Sequence, residues 1–75
     1  MVKVFSTPTC PWCKKVKDYL KSNNIEFQDI NVAEDAAARK EMFQISNQMG
    51  VPVVQIDDKV ILGFDKDSID EALGL

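Results

Sequence analysis

The stretch Thr7-Pro8-Thr9-Cys10-Pro11-Trp12-Cys13 holds the only two cysteines of a 75-residue chain. It also marks the place where one hydrophobic period gives way to another. Before it, Val2-Lys3-Val4-Phe5 is short and β-prone, as a strand buried on both faces is. Ser6 to Thr9 has the composition of a loop. After it, Cys13, Val16 and Leu20 recur at helical spacing, with Lys14, Lys15, Lys17, Asp18 and Lys21 on the other face. Pro11 suits the first turn of a helix, where an N–H has no intrahelical partner in any case. The chain must therefore place both thiols at a strand-to-helix junction.

The rest of the pattern is equally regular. Ser22-Asn23-Asn24 ends the first helix, and Ile25 to Ile30 is expected as a second strand. Asn31 and Glu34 have the spacing of a capping box, predicting a helix from Ala33 to about Ser46 that buries Ala38, Met42 and Ile45. Asn47 to Gly50 is a turn. Val53–Ile56 and Lys59–Leu62 are strands joined by a hairpin turn at Asp57-Asp58. Gly63 breaks the last strand, and Lys66 to Leu73 forms a short final helix. The order β-α-β-α-β-β-α predicts one α/β domain over residues 1–75. Its four-stranded mixed sheet carries helices on both faces. The first two strands are parallel through a right-handed crossover and the last two antiparallel. Phe5, Phe27, Phe43 and Ile56 are expected in the core.

A net charge of −3 argues against a nucleic-acid partner, despite the local lysines at 14, 15, 17 and 21. No apolar run approaches membrane-spanning length, and Met1 to Pro8 lacks the apolar region of a signal peptide. The expected compartment is the cytoplasm and the expected state a monomer. Structural disulfides are rare in the cytoplasm, so a close cysteine pair there is catalytic or metal-binding. A complete zinc site wants further ligands, and the chain has no histidine and no third cysteine. A metal or iron–sulfur carrier would need Cys10 and Cys13 from two chains. Thiol–disulfide exchange needs only one. Amide hydrogens at the helix start favour a thiolate at Cys10, lowering its pKa below the free value of about 8.5. Cys13, one turn further on beside Val16, is expected to be buried and protonated. Cys10 then attacks a substrate disulfide, and Cys13 resolves the mixed disulfide. Trp12 is expected to be a partly exposed apolar rim. A cis Val51–Pro52 bond would bring the Val51 backbone beside Cys10 for pairing with an extended substrate.

The Cys10-Pro11-Trp12-Cys13 helix start, Val51-Pro52 before a hairpin and Gly63-Phe64-Asp65 before a last helix resemble glutaredoxins and small glutaredoxin-like proteins. The likeness extends over essentially the whole chain. It implies a thioredoxin-like fold of the glutaredoxin type, with Cys10 as nucleophile and Cys13 as resolving cysteine. Pro11, Trp12, Val51 and Pro52 would then contact substrate. Gly63, Phe64 and Asp65 would lie where the γ-glutamyl end of glutathione binds. The implied role is an electron donor in cell redox homeostasis that reduces protein or small-molecule disulfides without a tightly bound cofactor. Glutathione or a thioredoxin reductase-type flavoprotein would re-reduce it. The chain also departs from the family pattern. Leu62 replaces the first of two usual glycines, and Thr7 stands where a lysine often precedes the nucleophile. Ile45, Gln48 and Met49 occupy a region where basic residues are common. Glutathione is an anion, so each lost cation weakens its site, with Lys14 offsetting part of the loss. The expectation is that a flavoprotein reductase serves at least as well as glutathione.

Overall fold

A computed structural model describes residues 1–75. Its elements are β1 (Val2–Ser6), α1 (Pro11–Ser22), β2 (Gln28–Asn31), α2 (Ala36–Ser46), β3 (Val53–Ile56), β4 (Lys59–Leu62) and α3 (Lys66–Leu73). The strands form one sheet in the order β2-β1-β3-β4. β1 runs parallel to β2, with Phe5 opposite Ile30. It runs antiparallel to β3, with Phe5 opposite Val53. β3 and β4 make the antiparallel hairpin.

Side chains alternate across a strand, so β1, β3 and β4 each feed two cores. On one face Val2, Val4, Val54, Ile56 and Ile61 meet Val16 and Leu20 of α1 and Ile69 of α3. On the other, Phe5 and Val53 meet Val32 and the α2 residues Ala38 and Met42. Phe5, Leu20, Met42 and Ile69 are fully buried. Burial of each contributes about 1.5–3 kcal/mol before the entropy of ordering is subtracted. The α/β sandwich expected from the hydrophobic periods is therefore what forms.

Some boundaries differ from the sequence reading. β1 extends through Ser6, which is buried. β2 begins only at Gln28, because Ile25 is drawn into the end of α1, its N–H donating to the Leu20 carbonyl at 2.9 Å. Phe27 packs half-buried against the first core cluster. α2 starts at Ala36 rather than Ala33. Its cap is Asp35, whose carboxylate accepts the Ala38 N–H at 3.0 Å. Asn31 instead accepts the Ala33 N–H at 2.9 Å, bending the chain before the helix begins. Phe43 is 48% exposed. Ala38 and Met42, four residues apart, define the inward stripe of α2, and Phe43 is turned roughly 100° away from Met42.

Candidate active site

β1 ends beside the start of β3, because the two are antiparallel neighbours. The loop leaving β1 and the loop entering β3 therefore meet at one edge of the molecule. The first carries Cys10 and the second Val51-Pro52. Cys10 is the N-cap of α1, with extended backbone at φ −91° and ψ 110°. Its Sγ accepts the Cys13 N–H at 3.1 Å, and its carbonyl accepts the Lys14 N–H at 3.2 Å. Pro11 fills the first helical turn, so no amide hydrogen is wasted there. Cys13 has no exposed surface and packs on the inward side of α1 with Val16 and Leu20. The two cysteines are joined as a disulfide, their Cα atoms 5.2 Å apart.

The Val51–Pro52 bond is cis, and the Val51 carbonyl oxygen lies 4.0 Å from the Cys10 sulfur. Pro52 is buried, and its carbonyl accepts the Gly63 N–H at 2.9 Å. That bond ties the turn after β4 to the loop beside the cysteines. Gly63 takes φ +72°, a left-handed conformation that suits glycine. Phe64 then turns inward onto the first core cluster, with its ring 5.8 Å from that of Tyr19. Asp65 caps α3, accepting the Ser68 N–H at 3.2 Å and the Ser68 hydroxyl at 2.8 Å. Those bonds, the hydroxyl first, hold its carboxyl below the usual aspartate range. Cys10, Cys13, Pro11, Trp12, Val51 and Pro52 thus converge, with Gly63 one hydrogen bond further out. No hydrogen bond links Phe64 or Asp65 to the cysteines.

The lysines of α1 divide by partner. Lys14 pairs with Asp18 at 2.7 Å, and Lys17 with Asp29 at 3.2 Å. The hydrogen bond from Lys14, with Lys21 and Lys17 adding charge, holds the Asp18 carboxyl below its ordinary value. Lys15 lies over the Trp12 ring, 4.4 Å from its centroid. Trp12 itself is 55% exposed, the rim its position predicted. Two features escaped the sequence reading. The Lys15–Trp12 contact has a visible signal, since residues three apart share a helix face. The second is a bond from the Tyr19 hydroxyl to Asp70, tying α1 to α3, with no local signal across 51 residues. No cluster of three or more His, Cys, Asp or Glu side chains gathers as a metal site. No helix is long and apolar enough to cross a membrane.

The Glutaredoxin family model matches residues 2–61, which include both cysteines and Val51-Pro52 but stop before Gly63. The chain is 58% identical over 73 residues to an uncharacterized glutaredoxin-like 8.6 kDa protein in the rubredoxin operon of Clostridium pasteurianum. That alignment covers 97% of each chain. It is 36% identical over 64 residues to Glutaredoxin 3 of Escherichia coli K12, covering 85% of this chain and 77% of that one. The solved glutaredoxin (grx-1) of Archaeoglobus fulgidus superposes with a TM-score of 0.89 at 27% identity, over 96% of this chain and 84% of that one. The fold is thioredoxin-like, and the chain belongs to the glutaredoxin family, whose members are thiol–disulfide oxidoreductases.

Proposed function

We propose that this protein reduces disulfides of proteins or small molecules, with Cys10 as nucleophile and Cys13 as resolving thiol. One observation carries the reading: the Cys10 sulfur sits at the N-cap of α1 and accepts the Cys13 N–H at 3.1 Å. A thiolate there keeps that donor and gains from the aligned peptide dipoles. Cys10 attacks one sulfur of the substrate disulfide. That bond breaks, and the departing sulfur leaves as a thiolate and takes up a proton. Cys13 gives its proton to solvent and attacks the Cys10 sulfur, releasing the second substrate thiol. The Cys10–Cys13 disulfide is the oxidised end state.

Substrate binds across Pro11, Trp12, Val51 and Pro52, an extended segment pairing with the Val51 carbonyl beside Cys10. Gly63, Phe64 and Asp65 form a reduced version of a glutathione subsite. Thr7 brings no cation to it, and both Asp65 oxygens are already engaged by Ser68. A thioredoxin reductase-type flavoprotein therefore re-reduces the protein at least as readily as glutathione does. The protein works as a cytoplasmic monomer with no tightly bound cofactor, an electron donor in redox homeostasis. Two variants test the thiol roles. Cys10→Ser abolishes turnover of a disulfide substrate, and Cys13→Ser accumulates a substrate-linked mixed disulfide visible by mass spectrometry. Parental turnover in either variant contradicts the scheme.

A further inference from the structure

Charge is unevenly spread over this molecule. The whole chain carries −3. α1 alone has four lysines against one aspartate, a net of +3, which leaves −6 on everything else. The basic helix is the one that begins at the cysteines. Its four cations are not equivalent. Lys14 and Lys17 are each paired with a carboxylate. Lys21 lies in the last turn, at the end away from Cys10. Lys15 has no ion pair, and its ammonium rests on the exposed ring of Trp12, the residue between Pro11 and Cys13. Contact with a ring face holds a cation in place without neutralising it. The outcome is a flat apolar plate with a fixed positive charge on it, next to the reacting sulfurs.

A partner must bring one sulfur of its disulfide to Cys10, so the residues flanking that sulfur pass close to this plate. Screening limits what the charge can reach, to about 8–10 Å at ordinary ionic strength. Only side chains near the partner's disulfide fall within that range. Resting on the assignment of Cys10 as nucleophile, we infer that Trp12 and Lys15 form a specificity element that selects protein partners whose disulfide is flanked by aspartate or glutamate. The remainder of the chain is net acidic, so the charge pattern favours approach of such a partner toward the start of α1. The chemistry is unchanged. Two electrons pass from the Cys10/Cys13 dithiol to the partner's disulfide. The partner's sulfurs end as two thiols, having gained two protons, and Cys10–Cys13 closes.

The test uses two disulfide-bonded peptides that differ only in having glutamates or lysines beside the cystine. Their reduction by the pre-reduced full chain is followed as a second-order rate, for the parent and for Lys15→Glu, Lys15→Gln and Lys21→Glu. The parent reduces the glutamate peptide about fivefold faster or more at low salt. The gap closes near ~1 M salt, where screening reaches about 3 Å. Lys15→Gln erases the preference and Lys15→Glu inverts it. Lys21→Glu, with the same change in net charge at the far end of the helix, keeps it. Equal rates for the two peptides with the parent overturn the inference. So does a preference that survives both Lys15 variants, or one lost equally in Lys21→Glu, which would assign it to total charge. A parent that reduces neither peptide strikes at the oxidoreductase reading itself, and the inference falls with it.

Discussion

A sulfur at a helix N-cap meets amide hydrogens that have no other partner, and Cys10 is in that position while Cys13 is not. The two thiols have the same intrinsic chemistry, and place alone divides the roles proposed for them: one capping the helix, the other without exposed surface. Thr7 illustrates the opposite case, a residue notable for the charge it lacks. It is three positions before Cys10, and its carbonyl accepts the Cys10 N–H at 3.4 Å. A lysine there would restore a cation for an anionic thiol donor. An exposed ion pair contributes about 0.2–1 kcal/mol, so Thr7→Lys is expected to raise glutathione-driven turnover by up to about fivefold. The measurement runs one disulfide substrate with glutathione and its reductase, then with a thioredoxin reductase. The parent is at least as fast with the second, and Thr7→Lys gains only with the first. A parent that turns over rapidly with glutathione alone contradicts the reductant preference, and no gain in the variant removes Thr7 from the explanation.

At the scale of elements, α1 and α3 share one core but are also bonded at their surfaces. Tyr19 of α1 donates to Asp70 of α3, and Lys66 pairs with the same carboxylate at 2.9 Å. Lys66 also lies 5.5 Å above the Tyr19 ring. The Tyr19 hydrogen bond, and then the one from Lys66, hold the Asp70 carboxyl below its ordinary range. The same bond pushes the Tyr19 phenol up. A carboxylate whose folded pKa is depressed contributes stability above its unfolded value of about 3.9, and that contribution is lost as pH falls through the folded value. The Tyr19 contribution has the other sign, being full below about pH 10 and lost as pH rises through the raised value. The melting temperature of the parent should therefore fall more steeply below about pH 4 than that of Asp70→Asn. Thermal melts across the acid range check this, and parallel curves contradict it. Most elements were legible in the sequence because they bury a regular stripe; β2, with no buried residue, was placed less closely. The start of α2 was not legible. Asn31-Glu34 and Asp35-Ala38 both have the spacing of a helix start, but Asn31 accepts the Ala33, Glu34 and Asp35 N–H groups as a turn, and Asp35 caps the helix.

For the whole molecule, the order β2-β1-β3-β4 is the fact on which the site depends. It sets the end of β1 beside the start of β3 and so brings Cys10 to Val51 across 41 residues. Strand alternation predicts two cores, and the cysteine spacing predicts a helix-start pair, so the fold class and the place of both cysteines at the start of α1 could be read along the chain. The meeting of distant loops could not be read from spacing alone. A cis bond before Pro52 suggested that Val51 lies beside Cys10, and the antiparallel pairing of β1 with β3 is what brings the two loops together. Neither the Tyr19–Asp70 tie nor the bond from Gly63 to Pro52 leaves any periodic trace, because each joins two loops or helix faces once. The account rests on the helix start making Cys10 an easily ionised thiol, and a pH titration of the reduced protein tests that most directly. Ultraviolet thiolate absorbance would be followed, with Cys13→Ser isolating Cys10. The account predicts an apparent pKa at least a unit below the free value of about 8.5; a value at or above that of free cysteine would contradict it.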